Sequence, residues 1–252
     1  MALNSEAPWD EFCPNDYVKR NYADPLDVDK RIVHLVGEHF TAHFTALPGE
    51  GPRGPVRGVD VGAGANLYPA LCMLPWCSEI TLLEKGPRNL DYLQEQLEKG
   101  FDPAWNAFWR VLAGSHGPYK DLDDQQRMQL KEVAELRKDD LLTLNQSTER
   151  WGLGAMFFVA ESMSSSGEEF RTAIAHFLGA LEPGAPFAAA FMLKSKGYEV
   201  GDHEYPAYPV NQAEVAEALE SMTEHVVYHE LDIVLREGHD GMLLALGFRG
   251  TD

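Results

Sequence analysis

Four short apolar runs punctuate the chain, at Val56–Val61, Ile80–Glu84, Met156–Ala160 and Phe187–Leu193. Each has the length and continuous hydrophobicity of a strand buried on both faces of a parallel sheet. Between them the apolar positions recur at helical spacing, predicting helices over Leu67–Leu74, Pro87–Lys99 and Glu168–Leu181, the last stopped by Leu181-Glu182-Pro183-Gly184. Ahead of the first strand, Asp24–Leu47 reads as a helix with Asp24 as its cap, Pro25 in its first turn and Ile32, Val33, Val36, Phe40, Phe44 and Leu47 as its apolar face. Pro48–Pro55 is a breaker loop. A further helix is predicted at Gln212–Met222. Two extended runs, Val226–Arg236 and Met242–Phe248, close the chain. They are joined by only Glu237-Gly238-His239-Asp240-Gly241, too short a link for a parallel crossover, so an antiparallel hairpin is expected. A parallel α/β sheet that ends in an antiparallel hairpin departs from a plain dinucleotide-binding fold.

The 252 residues suit one domain, and no internal repeat or low-complexity tract divides them. Forty acids against twenty-one Lys and Arg give a net charge of −19. Such a surface repels phosphate backbones and anionic lipid, so neither nucleic acid nor membrane is expected as a partner. The opening MALNSEAPWDEF lacks the lysines and apolar core of a signal peptide. Three scattered cysteines make no disulfide framework or metal-ligand pattern. A cytoplasmic, monomeric protein is the expectation. His39 and His43 stand four apart on the first helix without an HExxH motif or a neighbouring thiolate, so no metal is expected.

Candidate chemistry concentrates where the first strand ends, in Val59-Asp60-Val61-Gly62-Ala63-Gly64. Glycines there let backbone approach a ligand, and the following helix start offers free N–H donors. Leu67 replaces the third glycine of a GxGxxG loop, which weakens a pyrophosphate reading. Asp60 offers a carboxylate to an ammonium group and would repel a pyrophosphate. Glu84, ending the second strand, can accept both ribose hydroxyls, which serves adenosylmethionine and NAD equally. An NAD-dependent oxidoreductase therefore stays as an alternative, as does a protein of this fold that binds cofactor without catalysis.

Four stretches together carry a family resemblance: Phe12-Cys13-Pro14-Asn15-Asp16-Tyr17 with Tyr22; Asp60-Val61-Gly62-Ala63-Gly64 with Tyr68; Glu84 with Asn89-Leu90; and Phe101–Asp140, a helical insertion ending in a charged helix at Arg137-Lys138-Asp139-Asp140. In these the sequence resembles the nicotinamide, phenylethanolamine and indolethylamine N-methyltransferase family, from about Phe12 to about Phe248. The resemblance implies a Rossmann-like class I methyltransferase fold. Its mostly parallel seven-stranded sheet would carry an N-terminal cap over residues 1–50, the insertion at 101–138 and a substrate lid at 194–210. It implies S-adenosylmethionine as methyl donor, S-adenosylhomocysteine as product and a small molecule as acceptor, its amine or heteroaromatic nitrogen being the expected methyl-accepting atom.

The resemblance also assigns roles. Tyr17 and Tyr22 would close over the cofactor, Tyr17 bordering the acceptor as well. Gly62 and Gly64 would pass beneath the methionine moiety, Tyr68 would bind its carboxylate end, Glu84 and Asn89 the ribose, Asp139 or Asp140 the adenine, and Ala160 would contribute backbone. On the acceptor side the sequence departs from the family. Phe191 stands where an acid ends the fifth strand, the other acidic position falls near Ser164, and Ala207 replaces a serine that contacts nicotinamide. Nicotinamide is thus not the expected acceptor. Glu161 is the carboxylate expected to hold an amine or take its proton, with a role ahead of the following helix as the alternative. Tyr198, His203, Tyr205 and Tyr208, in the aromatic and acidic Tyr198–Pro209 segment, are further acceptor-site candidates.

Overall fold

In the computed structural model, which describes residues 2–45, 54–231 and 241–251, all four apolar runs become parallel strands. They are β1 (Val56–Val61), β2 (Cys77–Glu84), β4 (Leu153–Phe157) and β5 (Pro186–Leu193), with β3 (Ala134–Lys138) at the edge. A small separate hairpin follows, β6 (Tyr198–Val200) and β7 (His203–Tyr205), then β8 (Thr223–Leu231) and β9 (Gly241–Arg249). The main sheet has seven strands in the order β3-β2-β1-β4-β5-β9-β8. β9 runs antiparallel to both β5 and β8, so the C-terminal antiparallel pair holds. The expected turn at 237–240 and the end of the 226–236 run lie outside the described residues. So do residues 46–47 of the expected first helix and 48–53 of the breaker loop.

The order reverses direction between β1 and β4, where connections leave to opposite faces. Such a switch point opens a crevice at the carboxyl ends of the strands. On one face pack α2 (Asp27–Phe44), α3 (Tyr68–Met73), α4 (Pro87–Lys99) and α5 (Pro103–Ser115), the last bringing Trp105, Phe108 and Leu112. On the other pack α8 (Gly167–Gly179) and α9 (Gln212–Glu220) against Val59, Val61, Phe187, Ala189 and Phe191. The short helix α1 (Pro14–Asn21) and the residues before it cross the strand ends. Ala2 N–H donates to Ser165 Oγ at 2.8 Å and Asn4 N–H to Glu169 Oε2 at 3.0 Å, which pins the N-terminal segment to the start of α8.

Three local expectations are corrected. The charged stretch ending in Arg137-Lys138-Asp139-Asp140 is not the end of a helix: α7 (Gln126–Val133) stops after the one-turn α6 (Gly117–Lys120) and the intervening turn, and Ala134–Lys138 pairs in parallel with Ile80–Glu84. AELRK has a single large apolar residue and so no hydrophobic strand signature. The ladder to β2 supplies the stabilisation, and Arg137 covers the Trp151 ring at 5.9 Å while pairing with Glu135 and Glu149. Charged side chains are what an exposed sheet edge needs to avoid pairing with another chain.

The first helix begins at Asp27, with Leu26 as its N-cap and no side-chain cap bond, so Asp24 does not cap it. Asp27 and Asp29 supply the first-turn negative charge instead. The third apolar run is displaced: β4 runs Leu153–Phe157, three residues earlier than expected. Its small residues hid it: a Cβ at Gly154 would meet Phe177 Cε2 of α8 at 2.9 Å, so the helix packs closest where the strand has a glycine. Phe158, at φ 60°, turns the chain out of the sheet.

At the start of α8 the Ser166 hydroxyl accepts from Glu169 N–H at 3.3 Å. Ser166→Ala should therefore lower stability by about 1 kcal/mol, read as a lower urea midpoint with an unchanged denaturant slope.

Candidate active site

The crevice is built by three chain reversals. After β1, Gly62 and Ala63 donate their N–H groups to the Leu83 carbonyl at 2.8 and 3.1 Å, which folds the glycine loop back over β2. Gly62 and Gly64 take φ values of 67° and 59°, a region open to glycine and strained for other residues. A Cβ on Gly62 would also lie 2.6 Å from Val159 Cγ1. After β2, Glu84 is buried with its carboxylate shared between two loops: Oε2 accepts from Gly64 N–H at 2.8 Å, and Oε1 from Gly86 N–H at 2.6 Å and Asn89 Nδ2 at 3.2 Å. Burial pushes its pKa up while these donors pull it down. After β3, Asp139 N–H donates to the Glu84 carbonyl at 3.1 Å, which brings both aspartates to the crevice.

Tyr17, Gly62, Gly64, Glu84, Asn89, Asp139, Asp140 and Tyr198 all line this cleft, whose enclosed volume is about 110 Å³. Trp9 and Phe12 roof it from the N-terminal segment. The two aspartates differ. Both Asp140 oxygens are engaged, by Asn4 Nδ2 at 3.2 Å and by Lys85 Nζ at 2.8 Å to Oδ2, whereas Asp139 accepts through Oδ1 from its neighbour's N–H at 2.8 Å and from Thr143. The carbonyl oxygen of the Asn89 side chain is buried without a partner among the described residues.

Other expected residues lie behind the cleft wall. Asp60 faces α3 beneath the glycine loop, and burial first and the Glu84 charge second drive its pKa well up. It is not among the residues that line the cleft, and its Oδ2 has no hydrogen-bond partner among the described residues. Tyr68 is fully buried beside Asn66, whose Oδ1 accepts from its backbone N–H at 3.1 Å. Tyr22 stacks edge-on between Tyr17 and Tyr68, its ring 5.8 Å from each. Ala160 is buried behind Val159 and Ser162, which do line the cleft.

A second cavity, of about 750 Å³, opens beside the first and shares Tyr17, Phe158, Ser162 and Tyr198 with it. Its lining separates the acceptor-side candidates. Phe191 faces α8 and packs on Phe170, because alternate residues of a strand point to opposite faces. Its neighbour Met192 borders the cavity instead. Tyr208 lies over α8, bonded to Glu214, and Ser164 is buried as the acceptor of Ser166 N–H at 3.1 Å. Neither reaches the cavity, and His203 is not on its wall. Tyr205 does border it, in a stack with Tyr198 at 5.3 Å.

Glu161 stands just behind both cavities. It is fully buried, with Oε1 accepting from Met192 N–H at 2.9 Å and from Ser162 Oγ at 3.2 Å, and with Oε2 unpartnered among the described residues. Desolvation raises its pKa to about 7. It is not among the lining residues of either cavity; its neighbour Ser162 borders both and Met192 the second.

Asp29 is the residue that sequence reasoning missed. It is 3% exposed yet borders the second cavity, and burial lifts its pKa to about 7. The signal was present: Asp29, Val33, Val36 and Phe40 fall at helical spacing, which puts an acid on the apolar stripe of α2.

A family model described as the NNMT/PNMT/TEMT family matches residues 2–245. The chain belongs to that family. It is an S-adenosylmethionine-dependent methyltransferase, and the dinucleotide alternative falls away. Among curated relatives, indolethylamine N-methyltransferase of Oryctolagus cuniculus is 25% identical over 217 residues, 82% of this chain and 80% of that protein. The N-methyltransferase NodS from Bradyrhizobium japonicum, solved with S-adenosyl-L-homocysteine, shares the fold at TM-score 0.56 and 13% identity over 90% of this chain and 89% of that one. The CurJ carbon methyltransferase does so at TM-score 0.60 and 13% identity, covering 94% of this chain and 59% of that one. Among the described residues no helix is long and apolar enough to cross a membrane.

The raised pKa of Glu161 sets a pH dependence for this methyltransferase. A carboxyl that titrates near 7 when folded and about 4.3 when unfolded favours the folded state only while protonated. Its contribution is therefore lost as pH rises from about 4 to about 7. Glu161→Gln removes that loss, so its melting temperature relative to the wild type should climb from pH 5 to pH 8 in thermal scans. A flat difference would place the titration elsewhere.

Proposed function

We propose that the first cleft holds the methyl donor and the second cavity a small-molecule acceptor, methylated on an amine or heteroaromatic nitrogen. The observation that carries this reading is the pair of adjoining cavities, which meet at Tyr17, Phe158, Ser162 and Tyr198. Two reactants held on either side of one aromatic partition meet in one orientation, and such positioning is worth up to about 7–11 kcal/mol of a barrier.

Glu84 and Asn89 would bind the ribose. The glycine loop would lie under the methionine moiety, since a side chain at Gly62 has no room. Asp139, with one oxygen uncommitted, is the better candidate for the adenine; Asp140 is already neutralised by Lys85. The buried Asn89 oxygen without a partner fits a ligand that brings hydroxyl donors. When bound, the donor supplies an electrophilic sulfonium methyl. Tyr17, Trp9 and Phe12 would close the cleft over it and exclude water. Glu161 would act as a positioning residue, fixing the end of β5 through Met192 N–H. The relative's printed name, an indolethylamine N-methyltransferase, supports nitrogen as the accepting atom.

Calorimetry tests the donor half. S-adenosylmethionine and S-adenosylhomocysteine should bind and NAD should not. Glu84→Ala should weaken adenosylhomocysteine roughly tenfold to a hundredfold, the worth of one charged hydrogen bond of about 1.5–3 kcal/mol. An unchanged affinity would remove the ribose assignment. Product formation from labelled donor with a panel of amines and heteroarenes tests the acceptor half.

A further inference from the structure

We infer that Asp29 is the anionic contact of the acceptor, and that the acceptor enters the second cavity as a cationic amine with an apolar or aromatic body. The inference rests on the placement of donor and acceptor proposed above, and it names the acceptor's charge and the residue that reads it.

Five charged side chains border the cavity: Arg20, Asp29, Lys196, Glu199 and Glu204. Four are exposed at the rim, where water screens them; Asp29 alone is buried. Its carboxylate accepts no hydrogen bond and joins no ion pair among the described residues, although it sits 97% withdrawn from solvent in a space large enough for a ligand (3% exposed). Leaving such a group unpaired is costly, and natural proteins pair or bond a buried charge. The first-turn position on α2 offers some help from the helix dipole. Desolvation still dominates and lifts the pKa to about 7. A bound ammonium supplies the missing counter-charge and donors in one step.

The remaining walls fit the same ligand. Tyr17, Tyr22, Tyr198 and Tyr205 line it, and aromatic rings attract a cation held near them. Leu26, Met192 and Met242 give the apolar surface for its body. The net charge of −19 draws cations toward the molecule as a whole. Asp29 lies on α2, away from Glu161, Ser164 and Phe191, where an acceptor acid was sought. The chain thus supplies the carboxylate from a different element.

The test is a titration of 2-phenylethylamine and tryptamine, with the uncharged 2-phenylethanol as control, into the full chain with and without adenosylhomocysteine. At least one amine should bind the wild type, and Asp29→Asn should weaken it tenfold or more. Affinity for 2-phenylethanol should differ less than twofold between the two proteins. Asp29→Glu should recover part of the amine affinity, which a purely structural role would not produce. Adenosylhomocysteine affinity and the melting temperature should not fall in Asp29→Asn, because the change removes a desolvated charge. Equal amine affinity in wild type and Asp29→Asn overturns the inference, as does failure of the wild type to bind either amine. Loss of adenosylhomocysteine binding in the wild type would instead refute the donor cleft, and the amine titrations without it still judge Asp29.

Discussion

The geometry of the donor cleft depends on one buried carboxylate. Glu84 ends β2 almost wholly withdrawn from solvent, and it stays usable because three N–H donors from two chain segments converge on it. The constraint runs both ways. Gly64 and Gly86 find an acceptor only if their loops fold toward β2, and Asp139 is placed by a bond to the Glu84 carbonyl. The loop after β1, the start of α4 and the end of β3 are therefore set by one residue. A ligand with vicinal hydroxyls would meet a group whose orientation is already fixed, so little is lost in ordering it.

The donor side was legible because its chemistry is written in backbone and strand ends. Glycines that need positive φ, an acid closing a buried strand and the asparagine after it each leave a local signature, and Gly62, Gly64, Glu84 and Asn89 all reach the cleft. Asp60 could not be placed from the sequence, for a physical reason. A strand residue two before the loop can point either to the ligand or into the helix layer, and the pattern around it does not decide which. The structure turns it toward α3. Strand β3 was illegible for the opposite reason, since its partners and not its own side chains make it a strand.

The second cavity was harder to read because it is assembled from distant pieces: α1, α2, the turn after β4, the end of β5, the β6–β7 hairpin and β9. A slip of one residue along β5 exchanges Phe191, which serves the core, for Met192, which serves the cavity. Segment composition misled as well. Tyr198 and Tyr205 of the aromatic stretch reach the cavity, while Tyr208, three residues on, packs over α8 and bonds to Glu214. Aromatic richness located the region without saying which rings face inward.

The distribution of acids separates two uses of negative charge. Most of the forty are solvated, where they lend solubility and long-range attraction and little else. Glu84, Asp29 and Glu161 are buried, and each meets the cost of burial differently. Glu84 is met by three backbone and side-chain donors. Glu161 has one oxygen bonded to Met192 N–H and Ser162 and the other bare, and it reaches the ligand space only through those neighbours. Asp29 has no partner among the described residues and borders the cavity itself. Fully bonded, half-bonded and unbonded carboxylates thus stand at the first cleft, behind the partition and at the second cavity. Asp60 is buried and lacks a partner for Oδ2 among the described residues as well, but it lines neither cavity; Asp29 opens onto one, and there an incoming ligand can contribute most.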